Sequence, residues 1–314
     1  MTATPFDSAH LHRLFSPGDL GRLFSDSAEI RAGMIVLGTL AKVQGAAGLI
    51  PGVSAQAIHR ASLELQIDPG GLAAATAVDG TPVPALVTAF RDLMQAPEHA
   101  QHLCHGVPPT DVADCALMLR LRQALSLCET ELAALLQTLA TAGDAAAIEA
   151  WGWPLLALRD ELTELRAAGL PVALRVEGAP EGAGPLRDAL AAALNLHLPA
   201  DGWPETRAPL ARIAGWTARL IAVLAVPGRV AEAADQGVSK AALVALDRHA
   251  SALGGALAAT HDGAAGRFQE WLALPQIMLS GGSALCHARA LAETLSPGEA
   301  TDDARRFASA VQGG

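Results

Sequence analysis

The densest group of potentially reactive side chains lies at residues 98–105, Glu-His-Ala-Gln-His-Leu-Cys-His. Its three imidazoles and one thiol would supply enough nitrogen and sulfur ligands for a zinc or nickel ion. Adjacent Cys104 and His105 would diverge on a regular element, and no second ligand pair of similar density occurs in the sequence. We predict a polar loop without bound metal. A metal- or small-ligand-binding site built on His99, His102, Cys104 and His105 is the competing hypothesis.

Two further pairs of residues carry groups suited to nucleophilic or acid–base chemistry. Ser239 and Lys240 place a hydroxyl beside an amine, as in a nucleophile next to a base. Asp111 and Asp114 stand where a long apolar-periodic segment begins. A serine at a helix start is usually a cap, and carboxylates in a first turn complement the helix dipole. Spacing alone therefore predicts structural roles for the serine and both aspartates.

Three arginines form the remaining candidate group. Arg207, Arg212 and Arg219 are spaced by five and seven residues, which predicts that they share one helix face. Such a face could hold a polycarboxylate, and a solvated surface or pairing between helices is the alternative. The sequence contains no G-x-G-x-x-G, P-loop, G-x-S-x-G or H-E-x-x-H motif.

Composition excludes several classes of protein. The 314 residues include 22 basic and 32 acidic side chains, and a net charge of −10 argues against nonspecific nucleic-acid binding. No stretch of about 18 apolar residues runs without a charge, glycine or proline, so we expect no membrane segment. The four cysteines form no C-x-x-C pair, which indicates free thiols in a reducing cytoplasm. A hydrophobic content of 51% then suggests helix surfaces buried between subunits.

The elements that must position these groups are all helices, because no strand-period alternation exceeds five residues. The fold class is therefore all-α, with a small N-terminal helical domain at residues 1–110, a central long-helix bundle at 111–260 and a C-terminal helix and tail at 261–314. Helices are predicted at about residues 25–48, 54–67, 85–97, 111–142, 145–168, 185–196, 206–226, 239–260 and 266–294, with a polar tail from residue 296.

Five passages in the same order resemble the 3-carboxy-cis,cis-muconate cycloisomerases of the fumarase/aspartase superfamily. They are Leu23–Asp26 before the first helix, Gly80–Val87 (G-N-P-x-x-P-L-V in the family), His105–Asp114 (W-G-A-T-S-Q-D-x-x-D), Trp203–Arg207 (W-H-x-Q-R) and Glu270–Gln276 (E-W-x-x-L-P). Each match is short, but their collinear order from about residue 23 to 294 indicates the fumarase/aspartase-like long-helix bundle.

The resemblance implies an activity and a set of site residues. Family members lactonise a muconate tricarboxylate in protocatechuate catabolism, use no cofactor and assemble their sites from several chains of a homotetramer. Carried over to this sequence, it implies a small polycarboxylate substrate bound by Thr81 and Arg207. A cycloisomerase built on this sequence would need substitute catalytic groups, for which His105, Ser239 and Lys240 are the candidates.

The sequence also departs from the family pattern at functional positions. Pro108 and Pro109 replace the threonine–serine pair that helps hold a substrate carboxylate, Cys104 and Pro204 replace histidines, and the loop G-S-S-x-M-P-x-K-x-N-P is absent. Only residues 237–240 stand near its place. A diverged cycloisomerase and a non-catalytic paralogue acting as an oligomeric interaction or ligand-binding protein are both compatible with these changes.

Overall fold

The computed structural model describes residues 4–168, 170–174, 183–198, 207–226, 237–258, 263–298 and 301–313. The predicted all-α class is confirmed, and the extended pairing in these residues is one isolated bridge between Pro171 and His197. The α-helices are α1 Asp26–Ala46, α2 Gly52–Glu64, α3 Ala73–Asp79, α4 Val83–Met94, α5 Pro97–Ala100, α6 Pro109–Ala142, α7 Ala145–Ala147, α8 Trp153–Ala168, α9 Ala183–Leu194, α10 Ala208–Leu224, α11 Gly237–Ala258, α12 Gly263–Ala292 and α13 Asp302–Gln312.

The chain divides into two compact units. Unit 1 comprises Met1–Arg22, Ala124–Arg166 and Ala208–Gly314, and unit 2 comprises Leu23–Gln123 and Ala167–Arg207. The boundary between Gln123 and Ala124 therefore falls inside the 34-residue helix α6. The three-part domain division at residues 110 and 260 stays a prediction.

Unit 2 is organised by the close approach of α1 and α2. The Ser25 hydroxyl caps α1 by accepting from the Ala28 amide. The apolar face of α1 is buried, and glycines let α2 lie directly against this helix. A Cβ added at Gly38 would stand 1.9 Å from Ser62 Oγ, so only glycine permits this contact. The buried face is formed by Ile30, Met34, Leu37 and Leu40.

Unit 1 contains the long helices α10, α11 and α12, which pack on one another. Trp216 of α10 is fully buried, and its indole N–H donates to the Leu158 carbonyl in α8 at 3.0 Å. A Cβ at Gly282 of α12 would stand 2.5 Å from the Pro17 carbonyl oxygen. The small residues of α12 thus allow close packing.

The last part of this unit departs from one sequence prediction. The helix predicted over residues 145–168 is present, with a π-helical turn at Ile148–Gly152 between α7 and α8. The expected polar tail instead forms helix α13, which Thr301 caps by accepting from the Ala304 amide. Phe307 of α13 is fully buried and packs edge-on against Trp153, with ring centroids 5.3 Å apart. This helix has few apolar residues, and the packing of one aromatic ring in the core stabilises it.

None of the helices in the described ranges has the length and apolarity needed to cross a bilayer.

Candidate functional site

Arg207 and Asp114 form a buried, two-pronged ion pair in unit 2. The distances are 2.9 Å from Nη1 to Oδ2 and 3.2 Å from Nη2 to Oδ1. The arginine side chain is 11% exposed and the aspartate side chain 2%. Planar guanidinium and carboxylate groups match in this geometry, so each charge offsets the desolvation of the other.

This pair corrects two expectations. Asp114 is the sixth residue of α6, beyond the first turn, so it pairs with Arg207 rather than capping the helix. Arg207 precedes α10 and has a left-handed backbone with φ of 45°, so it does not share a helical face with Arg212 and Arg219. Arg219 instead pairs with Glu161 of α8, the interhelical alternative. The cation implied to receive substrate is therefore already paired with a carboxylate.

Thr81, which the resemblance implies for substrate binding, lies just before the first residue of α4. Gly80 ends α3 with a left-handed φ of 65°, and Thr81 follows as the chain turns into α4. The residue is 8% exposed, and its hydroxyl has no hydrogen-bond partner among the described residues. No side chain caps α4, whose first amides and dipole favour an anion. A buried hydroxyl beside this helix terminus can donate to a carboxylate oxygen.

The residues of the 98–105 cluster are held in separate local contacts. His99 Nδ1 lies 3.1 Å from Ser54 Oγ, and the Cys104 thiol donates to the Val107 carbonyl. His105 is exposed, and its carbonyl oxygen accepts from the Gln44 amide at 2.7 Å. Part of the expected loop is the short helix α5.

The described part of the chain contains no group of three or more histidine, cysteine or acidic side chains arranged to hold a metal ion. Burial raises the pKa of the Cys104 thiol to about 11 and that of Cys115 to about 12. Both thiols therefore stay protonated near neutral pH, and a thiol must lose its proton to act as a good metal ligand or nucleophile.

Ser239 and Lys240 lie in unit 1, near the start of α11, whereas Thr81, His105 and Arg207 lie in unit 2. Ser239 is half-buried, and its Oγ lies 3.1 Å from Nδ1 of His287. The spacing-based prediction of a cap therefore missed this partner. His287 stands 48 residues further along the chain, in α12, and nothing in its sequence surroundings marks it as functional.

The fold closely matches the solved structures of three proteins. The 3-carboxy-cis,cis-muconate lactonizing enzyme from Pseudomonas putida gives a TM-score of 0.83 at 24% identity, covering 96% of this chain and 78% of that one. The beta-carboxy-cis,cis-muconate cycloisomerase from Acinetobacter calcoaceticus gives 0.80 at 19%, with coverages of 94% and 77%. A fumarate lyase from Mesorhizobium gives 0.81 at 20%, with coverages of 94% and 78%. These likenesses establish the shared fold.

One curated protein also resembles this chain in sequence. The chain is 32% identical over 127 residues to the 3-carboxy-cis,cis-muconate cycloisomerase of Pseudomonas putida. The predicted resemblance to the 3-carboxy-cis,cis-muconate cycloisomerase family of the fumarase/aspartase superfamily is confirmed. The matched stretch covers 40% of this chain and 30% of that enzyme, and no family model matches the chain.

The start of α6 differs from the corresponding segment of the cycloisomerases that the chain resembles. Pro109 is the first residue of that helix, and Pro108 precedes it, at the place of the family's threonine–serine pair. Proline tolerates a helix start because the first amide lacks an intrahelical acceptor. Proline also has neither a hydroxyl nor an amide hydrogen, so this terminus offers fewer donors to a carboxylate.

Proposed function

We propose that this chain is a cycloisomerase-like protein that binds a small polycarboxylate and lactonises 3-carboxy-cis,cis-muconate far less efficiently than an intact family member. The observation that carries the proposal is the pairing of Arg207 with Asp114. Both terminal nitrogens of this guanidinium already face a carboxylate. A substrate carboxylate therefore contributes less binding free energy here than it would beside an unpaired guanidinium. The reaction is followed by the ultraviolet absorbance of the muconate.

The binding part of the proposal rests on Thr81. A buried hydroxyl without a partner costs stability, roughly 1–3 kcal/mol on protein mutational scales. A ligand oxygen that accepts from Thr81 Oγ1 would remove this cost, and the positive terminus of α4 would favour its charge. Thr81 is therefore assigned to substrate binding. Arg207 supplies a positive charge that the neighbouring Asp114 partly neutralises.

Thr81→Val is expected to separate stability from binding. The substitution replaces a hydroxyl by a methyl group of similar size, so it should raise the unfolding free energy by about 1 kcal/mol. It should also reduce the rise in Tm caused by millimolar propane-1,2,3-tricarboxylate, a non-reacting tricarboxylate. Denaturant unfolding and thermal shift measure the two effects.

Thr217→Val is the matched control. Thr217 is also a buried threonine, but its hydroxyl donates to the Ile213 carbonyl at 2.9 Å. Its replacement should lower the unfolding free energy by about 1 kcal/mol and leave the tricarboxylate effect intact. An unchanged tricarboxylate effect in Thr81→Val, or its absence in the unsubstituted protein, would contradict the binding proposal.

A non-catalytic role as an oligomeric interaction protein is the second candidate, and the exposed apolar side chains of α12 favour it. Phe268, Trp271 and Leu272 are 44%, 36% and 64% exposed, and their spacing places them on one helix face. The two aromatic rings lie together, with centroids 5.8 Å apart. Exposed apolar groups of this kind commonly mark contacts between proteins.

We expect a homotetramer in which this face of α12 is covered. Light scattering at micromolar concentration should give about four times the chain mass, and Leu272→Glu should lower that mass by placing a charge in the contact. Val78→Glu is the control, because Val78 is also exposed, at 86%, and lies on α3. A stable monomer, or equal effects of the two substitutions, would contradict the assembly proposal.

The proposed setting is the cytoplasm, with no nucleic acid or membrane as partner. All four cysteines are free, which suits a reducing compartment. The net charge of −10 would repel phosphate backbones and anionic lipid surfaces. The proposed partners are therefore a small polycarboxylate and further copies of this chain.

A further inference from the structure

A serine–histidine pair in unit 1 has the arrangement of a base-activated hydroxyl. Ser239 Oγ lies 3.1 Å from His287 Nδ1, and Nε2 of the same ring lies 2.7 Å from the Leu14 carbonyl oxygen. A carbonyl oxygen only accepts, so Nε2 carries a hydrogen and donates it to Leu14. In the neutral ring Nδ1 is then unprotonated, and the Ser239 hydroxyl donates to it. The imidazole is held in the tautomer that can take the serine proton.

The position of Ser239 in its helix suits a reaction that develops negative charge. It is the third residue of the 22-residue helix α11. The amides of a first turn have no acceptor within the helix, and the helix dipole favours an anion there. Ser25 and Thr301 use their hydroxyls to cap helices by accepting from backbone amides, whereas Ser239 donates to an imidazole. The hydroxyl is thus placed beside a base instead of a backbone donor.

We propose that Ser239 and His287 form an acyl-transfer site for activated carboxylic esters. Ser239 Oγ forms a bond to the ester carbonyl carbon while its proton passes to His287 Nδ1. The bond to the leaving alcohol then breaks, and the leaving oxygen takes that proton. Water then forms a bond to the acyl carbon while His287 Nδ1 takes its proton, and that proton returns to Ser239 Oγ as the carboxylic acid leaves. Each proton and each bond is accounted for without an added cofactor.

Two other serine–histidine contacts in the described residues serve as internal controls. Ser54 lies 3.1 Å from His99 Nδ1, and Ser8 lies 3.3 Å from His10 Nδ1. Both of these serines are only 3% exposed, whereas Ser239 is half-buried. A serine must be accessible as well as activated to react with a bulky reagent. Selective reaction at Ser239 would therefore reflect both properties.

The test is covalent labelling of the purified full chain with a fluorophosphonate, which phosphonylates activated serines and releases fluoride. Intact mass should show one adduct, and peptide mapping should place it on Ser239 and not on Ser54 or Ser8. Ser239→Ala should abolish the adduct. His287→Gln should slow labelling at least ~10²-fold, the usual contribution of a positioned general base. Circular dichroism verifies that each variant is folded.

The map of the unsubstituted protein decides the question even where a variant fails to fold. No adduct, or an adduct only at another residue, overturns the proposal. Labelling of Ser239 at an unchanged rate in folded His287→Gln also overturns it. The result does not depend on the polycarboxylate proposal, because the labelling reports on Ser239 and His287 and involves neither Thr81 nor Arg207. Labelling of Ser239 without muconate turnover would support the acyl-transfer proposal and contradict the cycloisomerase proposal. Muconate turnover without labelling of Ser239 would do the opposite.

Discussion

Purified protein should lactonise 3-carboxy-cis,cis-muconate at least ~10³-fold more slowly, in kcat/KM, than the Pseudomonas putida enzyme under the same conditions. Removing one donor that stabilises developing charge commonly costs about 10²–10³ in rate. Here Pro108 and Pro109 remove two hydroxyls at the start of α6, and the family's loop with its serine and lysine is absent from the sequence. Arg207 faces Asp114 as well. Several transition-state contacts are therefore weakened together.

Initial rates from the loss of muconate absorbance measure this difference, and the Pseudomonas putida enzyme in parallel is the positive control. Arg207→Ala should further weaken tricarboxylate binding, whereas Arg305→Ala is the matched control because Arg305 is 64% exposed. A rate within tenfold of the control enzyme, lost in Ser239→Ala or His105→Ala, would mean that substitute groups perform the reaction. That result would contradict the prediction of low cycloisomerase activity.

The long helices could be predicted because their apolar residues repeat along one face. The predicted segment 111–142 is found as Pro109–Ala142, a difference of two residues at its start. Of the leucines that repeat along this segment, Leu117 is half-buried and the others are buried, namely Leu121, Leu125, Leu132, Leu135, Leu136 and Leu139. A repeat over nine turns specifies both the helix and its buried face from local information.

The pairs that define the two candidate sites could not be predicted in the same way. Arg207 and Asp114 are 93 residues apart, and Ser239 and His287 are 48 residues apart. Neither pair belongs to one periodic segment, so their contact depends on how helices pack. The sequence identified Arg207 and Ser239 as candidates from their types and their motif positions, but their partners emerge only from the fold. Residue type thus indicates capacity for chemistry, and tertiary structure assigns the partner.

Phe307→Ala should lower the unfolding free energy by about 3–5 kcal/mol, the usual cost of removing a fully buried phenylalanine. The ring is inaccessible to solvent and packs on Trp153. A Cβ built at Gly152 would come within 2.8 Å of it, which shows how closely the π-helical turn surrounds the ring. Truncation leaves a cavity in unit 1 and removes the main apolar contact of α13. Guanidinium unfolding with a shared m-value measures the loss.

Phe268→Ala is the matched control, because the same atoms are removed from a side chain that is 44% exposed. For the isolated chain its cost should be about 1 kcal/mol or less. If assembly covers Phe268, its cost becomes dependent on protein concentration, since association stabilises the native state by mass action. The cost of Phe307→Ala should be the same at every concentration, because its contacts lie within one chain. A cost below about 1 kcal/mol for Phe307→Ala would mean that α13 is not docked on the π-helical turn.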